Sequence, residues 1–254
     1  TVARSSVAGQ SSSASGYTSG GGDPSAPASY TNTIDKFPFV SDGNATDVGD
    51  LTVARERATG QSSSASGYTS GGVALSPVDT IDKFPFASDA NATDVGVLTV
   101  VRNFTAGQSS SASGYTSGGF AAAPSIYADT IDKFPFASDA NATDVGDLTQ
   151  GRFAPAGQSS SASGYTSGGF SQSGVVNTID KFPFASDANA TDVGDLTQVR
   201  NGAAGQSSTA SGYSSGGGTP IVDTIEKFPF ASDGNATDVG DLTQARNVSA
   251  GQQY

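Results

Sequence analysis

The apolar residues of this chain sit in short clusters, and the clusters recur. Phe-Pro-Phe appears at Phe37, Phe84, Phe134, Phe182 and Phe228, at steps of 47, 50, 48 and 46 residues. Around it lies a long unit best read as TIDKFPFASDANATDVGDLTQ, then Arg, a variable stretch, AGQSSSASGYTSGG, and a second variable stretch. Its Phe, Ile, Val, Leu and Tyr fall at fixed places, as a packed core requires. No unit shows apolar spacing near 3.6, and each carries a Pro inside its most hydrophobic stretch, so helix is disfavoured. Short strands between turn residues fit the pattern. In the first complete unit they are expected near Ala8–Ala14, Ser15–Gly20, Thr33–Phe39 and Thr46–Ala54. Ser/Gly and SDGNA supply the turn chemistry between them. Pro38 cannot donate a ladder hydrogen bond, so the third strand is expected near a sheet edge or to end there.

Four short strands per unit of 40–50 residues is the pattern of a β-propeller blade. The expectation is an all-β, five-bladed β-propeller with four short antiparallel strands per blade. It forms one repeat domain over residues 1–254, with units near 4–54, 55–101, 102–151, 152–199 and 200–245 and a partial overlapping unit at 246–254. The small residues of GYTSGG are expected at the crowded centre, and Tyr17, Tyr68, Tyr115, Tyr165 and Tyr213 in the core. The Arg and Gly-Gln elements occur six times and the rest five, with Arg4 and Arg246 as terminal copies. Such an overlap would seal a ring by pairing first and last strands. The same overlap fits a longer chain, or a strand given to a neighbouring subunit. The absence of Met points to a processed product or a segment of something longer.

Composition narrows the chemistry. Hydrophobic residues are 35% and charged residues 14%, with 33 Gly, and Cys, His, Met and Trp are absent. That excludes disulfides, thiolate nucleophiles, Ser-His-Asp triads and His-ligated metals. Twelve basic residues stand against 24 acidic ones, a net charge of −12. This argues against nucleic acid and anionic membranes as partners. No apolar run is long enough to insert into a bilayer as a helix.

Nineteen of the 24 acidic residues lie at repeated positions. Carboxylate catalysis needs one acid and one base in different environments. Near-identical units repeat the same Asp instead, so no enzyme is expected. The turn between the third and fourth strands would recur on one face of a ring. Its oxygens make calcium a candidate ligand, through Asp42, Asn44, Asp89, Asn91, Asp139, Asn141, Asp147, Asp187, Asn189, Asp233 and Asn235. The competing explanation is that Asp and Asn cap the turn through backbone hydrogen bonds. Asn44, Asn91, Asn141, Asn189 and Asn235 also open Asn-Ala-Thr glycosylation sequons, and Asn103 and Asn247 add two more. Two stretches differ between units, one after Gly-Gly and one after Arg, and a four-stranded blade places both on one face. Recognition usually sits on loops over a rigid scaffold. Tyr30, Phe120, Tyr127 and Phe170 are therefore candidate partner anchors, with gap-filling beneath loops as the alternative.

The order GYTSGG, TIDKFPF, DVGDLT and Arg resembles the kelch propeller repeat, without that family's Trp. DANATDVGDL is similar to the calcium loop of integrin-type propellers, but Thr93 stands where an Asp is expected and Val97 replaces the last Asp. In the third unit Asp139, Asn141, Asp147 and Leu148 fit that loop, and Asp144 occupies its Gly position. The wording TIDKFPFASDANATDVGDLT with GQSS…GYTSGG resembles repeats of virion-associated, tail-fibre-like proteins of aquatic bacteriophages. That resemblance implies an extracellular or virion-surface role, structural or receptor-contacting. The implied partners are other structural proteins or cell-surface glycans, within a higher-order assembly. The alternative is a secreted calcium- or glycan-dependent adhesion module, glycosylated within an extracellular filament.

Overall fold

Each unit folds into a four-stranded antiparallel sheet in simple meander order. A computed structural model describes residues 3–26, 29–121 and 126–251. In the first unit the strands are Ala8–Ser11, Ser15–Ser19, Thr33–Pro38 and Thr46–Asp50. The equivalents in the third are Ala106–Ser109, Ser113–Ser117, Thr130–Pro135 and Thr143–Asp147. The first and fourth strands end earlier than the residue pattern suggests. The Ser-rich segment after Ser11 turns sharply, because Ser12 Oγ accepts the N–H groups of Ala14 and Ser15. After Asp50 the chain leaves the sheet for the next unit. Pro38 is the last residue of its strand, where a missing donor costs nothing.

The centre is built differently from the sequence expectation. The strand at the channel is AGQS rather than GYTS, and successive copies pack backbone to backbone. A Cβ on Gly107 would lie 2.3 Å from the Gly60 carbonyl oxygen, and one on Gly157 equally close to that of Gly107. The Gly of the second strand makes room within its own sheet: a Cβ on Gly114 would lie 2.3 Å from the Phe134 ring. Gly-Tyr therefore follows from the ring of Phe-Pro-Phe on the paired strand.

The core lies between successive sheets. Tyr68, Ile81 and Leu98 of the second unit enclose Phe134 and Ala142 of the third, with Val95 and Phe136 at the margin. The same cluster forms between units one and two, three and four, and four and five. In each, Tyr stacks on the second Phe of the next unit at 4.8 Å and tilts against the first at about 5.5 Å. Burying such a Phe stabilises by about 1.5–3 kcal/mol. Tyr17, Tyr68, Tyr115 and Tyr165 are buried as expected, and Tyr213 is only partly so.

A second bond crosses every one of these junctions. The Arg that ends each connection enters the following sheet and meets its third-strand acid. Arg55 pairs with Asp82 at 3.2 Å, Arg102 with Asp132 at 2.9 Å, Arg152 with Asp180 at 2.8 Å and Arg200 with Glu226 at 2.8 Å. Arg4 pairs with Asp35 in the same way. Burial pushes each of the guanidinium pKa values of Arg55, Arg102, Arg152 and Arg200 down, and the facing carboxylate opposes that shift.

Candidate functional site

Both variable stretches reach one face, as the meander requires. After the second strand, two glycines in the left-handed region turn the chain outward, for example Gly118 (φ 64°) and Gly119 (φ 108°). The stretch after Gly-Gly then pairs with the stretch after Arg. Arg152–Phe153 pairs with Phe170–Ser171, and isolated bridges join Ser5 to Gly22, Glu56 to Val73, Asn103 to Phe120 and Asn201 to Gly218.

This pairing gathers aromatic rings. Phe120 lies 6.1 Å from Tyr127, Tyr127 lies 5.9 Å from Phe170, and Phe153 sits 5.3 Å from Tyr127 and 5.4 Å from Phe170. Phe104 extends the group, 5.7 Å from Phe153, and the Arg57 guanidinium lies over Phe104 at 4.7 Å. All five rings are half-buried. Three of the four anchors expected from sequence thus come together. Tyr30 does not join them; it lies by Val53, Ala54 and Leu75. Phe104, Phe153 and Arg57 went unrecognised. The available signal was their place after the repeated Arg, where other units carry small residues.

The cluster borders a channel of about 510 Å³ at the centre of the units. Phe104 and Arg57 line its mouth, while Ser and Gly of the inner strands line its wall. Ser6, Arg57, Phe104, Ala154, Gly202 and Val248 all have φ between 53° and 62° there. They form a hydrogen-bonded series in which each N–H donates to the previous carbonyl, from Arg57 to Ser6 (3.0 Å) through Val248 to Gly202 (2.7 Å). Non-glycine residues rarely hold this backbone conformation, which recurs at functional sites. No Asp or Glu lines the channel among the described residues.

The opposite face carries the acidic turns. Asp89, Asp139, Asp187 and Asp233 each accept a hydrogen bond from a Lys of the preceding unit: Lys36, Lys83, Lys133 and Lys181, at 2.8–3.0 Å. That bond raises each ammonium pKa above its ordinary value. Asn91, Asn141, Asn189 and Asn235 accept the N–H of Asp50, Val97, Asp147 and Asp195 in the preceding sheet, at 3.0–3.2 Å. These Asn cap a neighbouring sheet rather than their own turn. The Asp147 carboxylate takes no part in these bonds among the described residues, and burial, with Asp129 and Asp144 nearby, pushes its pKa up. Asp42 and Asn44 are exposed and make neither contact. No group of three acidic side chains converges as a metal site among the described residues. Excess chelator is expected to leave the melting temperature within about 1 °C, because Lys already neutralises four of the turn carboxylates; a fall of several degrees would support bound calcium. The five Asn-Ala-Thr asparagines are exposed, whereas Asn103 is buried and closed to modification.

No family profile and no curated protein matches this sequence. Among solved structures, one titled "Structure of YjhT" superposes with a TM-score of 0.81. It covers 99% of this chain and 88% of that one at 12% identity. The likeness supports an all-β fold of repeated antiparallel four-stranded sheets, consistent with a β-propeller.

Proposed function

We propose that the five sheets are five kelch-like propeller blades and that the chain is a non-enzymatic binding and structural component. In this reading it is displayed outside the cell, on a virion or tail-fibre-like assembly, and contacts a partner through its variable face. The carrying observation is the aromatic cluster at the channel mouth. Rings from four variable stretches, with an Arg over one of them, suit either the anchor of a protein interface or a platform for the apolar face of a sugar. Two features favour the non-enzymatic part: the repeated third-strand acids are committed to buried Arg, and four of the five turn Asp to Lys.

Labelled protein applied to a glycan array and to intact cells tests this. Retention is expected to fall at least tenfold in the double variant Tyr127→Ala, Phe170→Ala, with the melting temperature nearly unchanged. Equal retention by both proteins, or no retention of the unaltered chain on either surface, would refute the reading.

A further inference from the structure

Every junction between successive sheets repeats one set of contacts, and the series breaks at one place. The Gln of each inner strand reaches the next unit: Gln10 Nε2 donates to the Tyr68 carbonyl (3.0 Å), Gln61 to Tyr115 (2.9 Å), Gln108 to Tyr165 (2.9 Å) and Gln158 to Tyr213 (3.0 Å). Among the described residues the Gln206 side chain bonds only Ser215, of its own sheet. Lys227 and Arg246 make no ion pair among the described residues, although their counterparts in the other units all do. A Cβ on Gly194 would lie 2.5 Å from the Gly234 carbonyl oxygen, whereas one on Gly240 would meet nothing within 4 Å among the described residues. Leu242 is partly exposed where Leu51, Leu98, Leu148 and Leu196 are buried, and Val239 is 50% exposed.

The first unit shows the other half of the same contact. Among the described residues Phe37 and Phe39 face no Tyr, and Phe39 is 47% exposed where Phe86, Phe136 and Phe184 pack against a cluster. Asp42 has no Lys and Asn44 caps no neighbouring strand among the described residues. So the fifth sheet presents Tyr213, Ile225, Leu242, Lys227 and Arg246, and the first presents the Phe, Asp and Asn that fill such a face elsewhere.

The inner strands show what separates them. Gly251 abuts Gly205 as Gly205 abuts Gly157, with the added Cβ 2.0 Å from the Gly205 carbonyl oxygen. Val248 likewise continues the hydrogen-bonded series at the channel mouth as its sixth member. A sixth inner position therefore exists, and among the described residues no second, third or fourth strand accompanies it. The described parts of the two ends share no ladder, contrary to the expected pairing of first and last strands.

We infer that the cleft between the fifth and first sheets is a docking site for one further repeat unit of this same type. It would bring a TIDK acid to Arg246, a turn Asp to Lys227 and Phe-Pro-Phe to Tyr213 and Leu242. Its own Tyr, Ile and Leu would cover Phe37 and Phe39, and its Lys would meet Asp42. The four internal junctions are the template for both contacts. A second whole copy would satisfy one face at a time. The inference stands on these junction contacts whether or not the variable face binds a partner.

The probe is a polypeptide with the sequence of residues 157–200, added to the full chain. Sedimentation is expected to show a 1:1 complex, with a melting temperature raised by several degrees. Lys227→Glu with Arg246→Glu is expected to weaken binding at least tenfold. Because the free unit can fail to fold, a second arm appends the same sequence after Tyr254 and follows hydrogen exchange. The Asp241 amide should then be slowed at least tenfold, since a docked Asn would cap it. Absence of binding together with an unprotected Asp241, binding indifferent to the charge reversal, or self-association of the chain through these faces would each overturn the proposal.

Discussion

Replacing Asp132 with alanine is expected to cost about 3–5 kcal/mol in urea denaturation, a large part of the stability of an ordinary domain. Asp132 is fully buried, accepting from Arg102 Nη2 at 2.9 Å and from Thr99 through its N–H (3.0 Å) and its Oγ1 (2.6 Å). Removing it leaves a buried guanidinium without its ion-pair partner. Arg102 Nε already lacks a protein partner, so little local compensation is at hand. The chain contains its own milder variant: unit five carries Glu226 at the equivalent position, and Arg200 pairs with it at 2.8 Å. Asp132→Glu should therefore recover much of the loss. Asp187→Ala, which removes the exposed partner of Lys133, should cost only about 0.2–1 kcal/mol. An Asp132→Ala chain within about 1 kcal/mol of the parent would show that the buried pair does not hold the sheets together.

That contrast marks what could be read from residues alone. The period of the Phe-Pro-Phe segment, the Gly-Gly turns and the Pro at a strand end indicated four-stranded units because each reports a local backbone constraint. The placement of Phe120, Tyr127 and Phe170 on one face followed from meander order alone. Phe104 and Phe153 were not recognised because their meeting depends on pairing between two stretches, which no local pattern encodes. The repeated Arg and the TIDK acid were both visible, but each Arg, in the connection between two sheets, pairs with the sheet that follows it, about 30 residues further on. The Asn of Asn-Ala-Thr reads as a turn residue in sequence, yet it caps the neighbouring sheet. Such contacts between units escape a reading that treats each unit by itself. The choice of AGQS over GYTS for the centre turned on Gly-to-carbonyl approach, and both strands are small enough to permit it.

Phe134→Ala is expected to cost about 3–5 kcal/mol, because its ring fills the junction between units two and three. The ring is 1% exposed and sits against Tyr68, so its loss opens a cavity and removes an aromatic contact. Relaxation is limited there. Tyr68 is held by its stack on Phe136, and Gly114 beneath the ring has no side chain to move into the space. Phe37→Ala changes the same residue of the same motif in the first unit, where no Tyr, Ile or Leu of a preceding sheet covers it. Its ring is partly solvated, so less apolar area returns to water and no closed cavity forms. It should cost less than half as much. Calorimetry or urea titration of the two variants under one condition makes the comparison, and the difference between them is more secure than either value. Equal losses would mean that Phe37 is covered in solution, by the fifth sheet or by another copy of the unit.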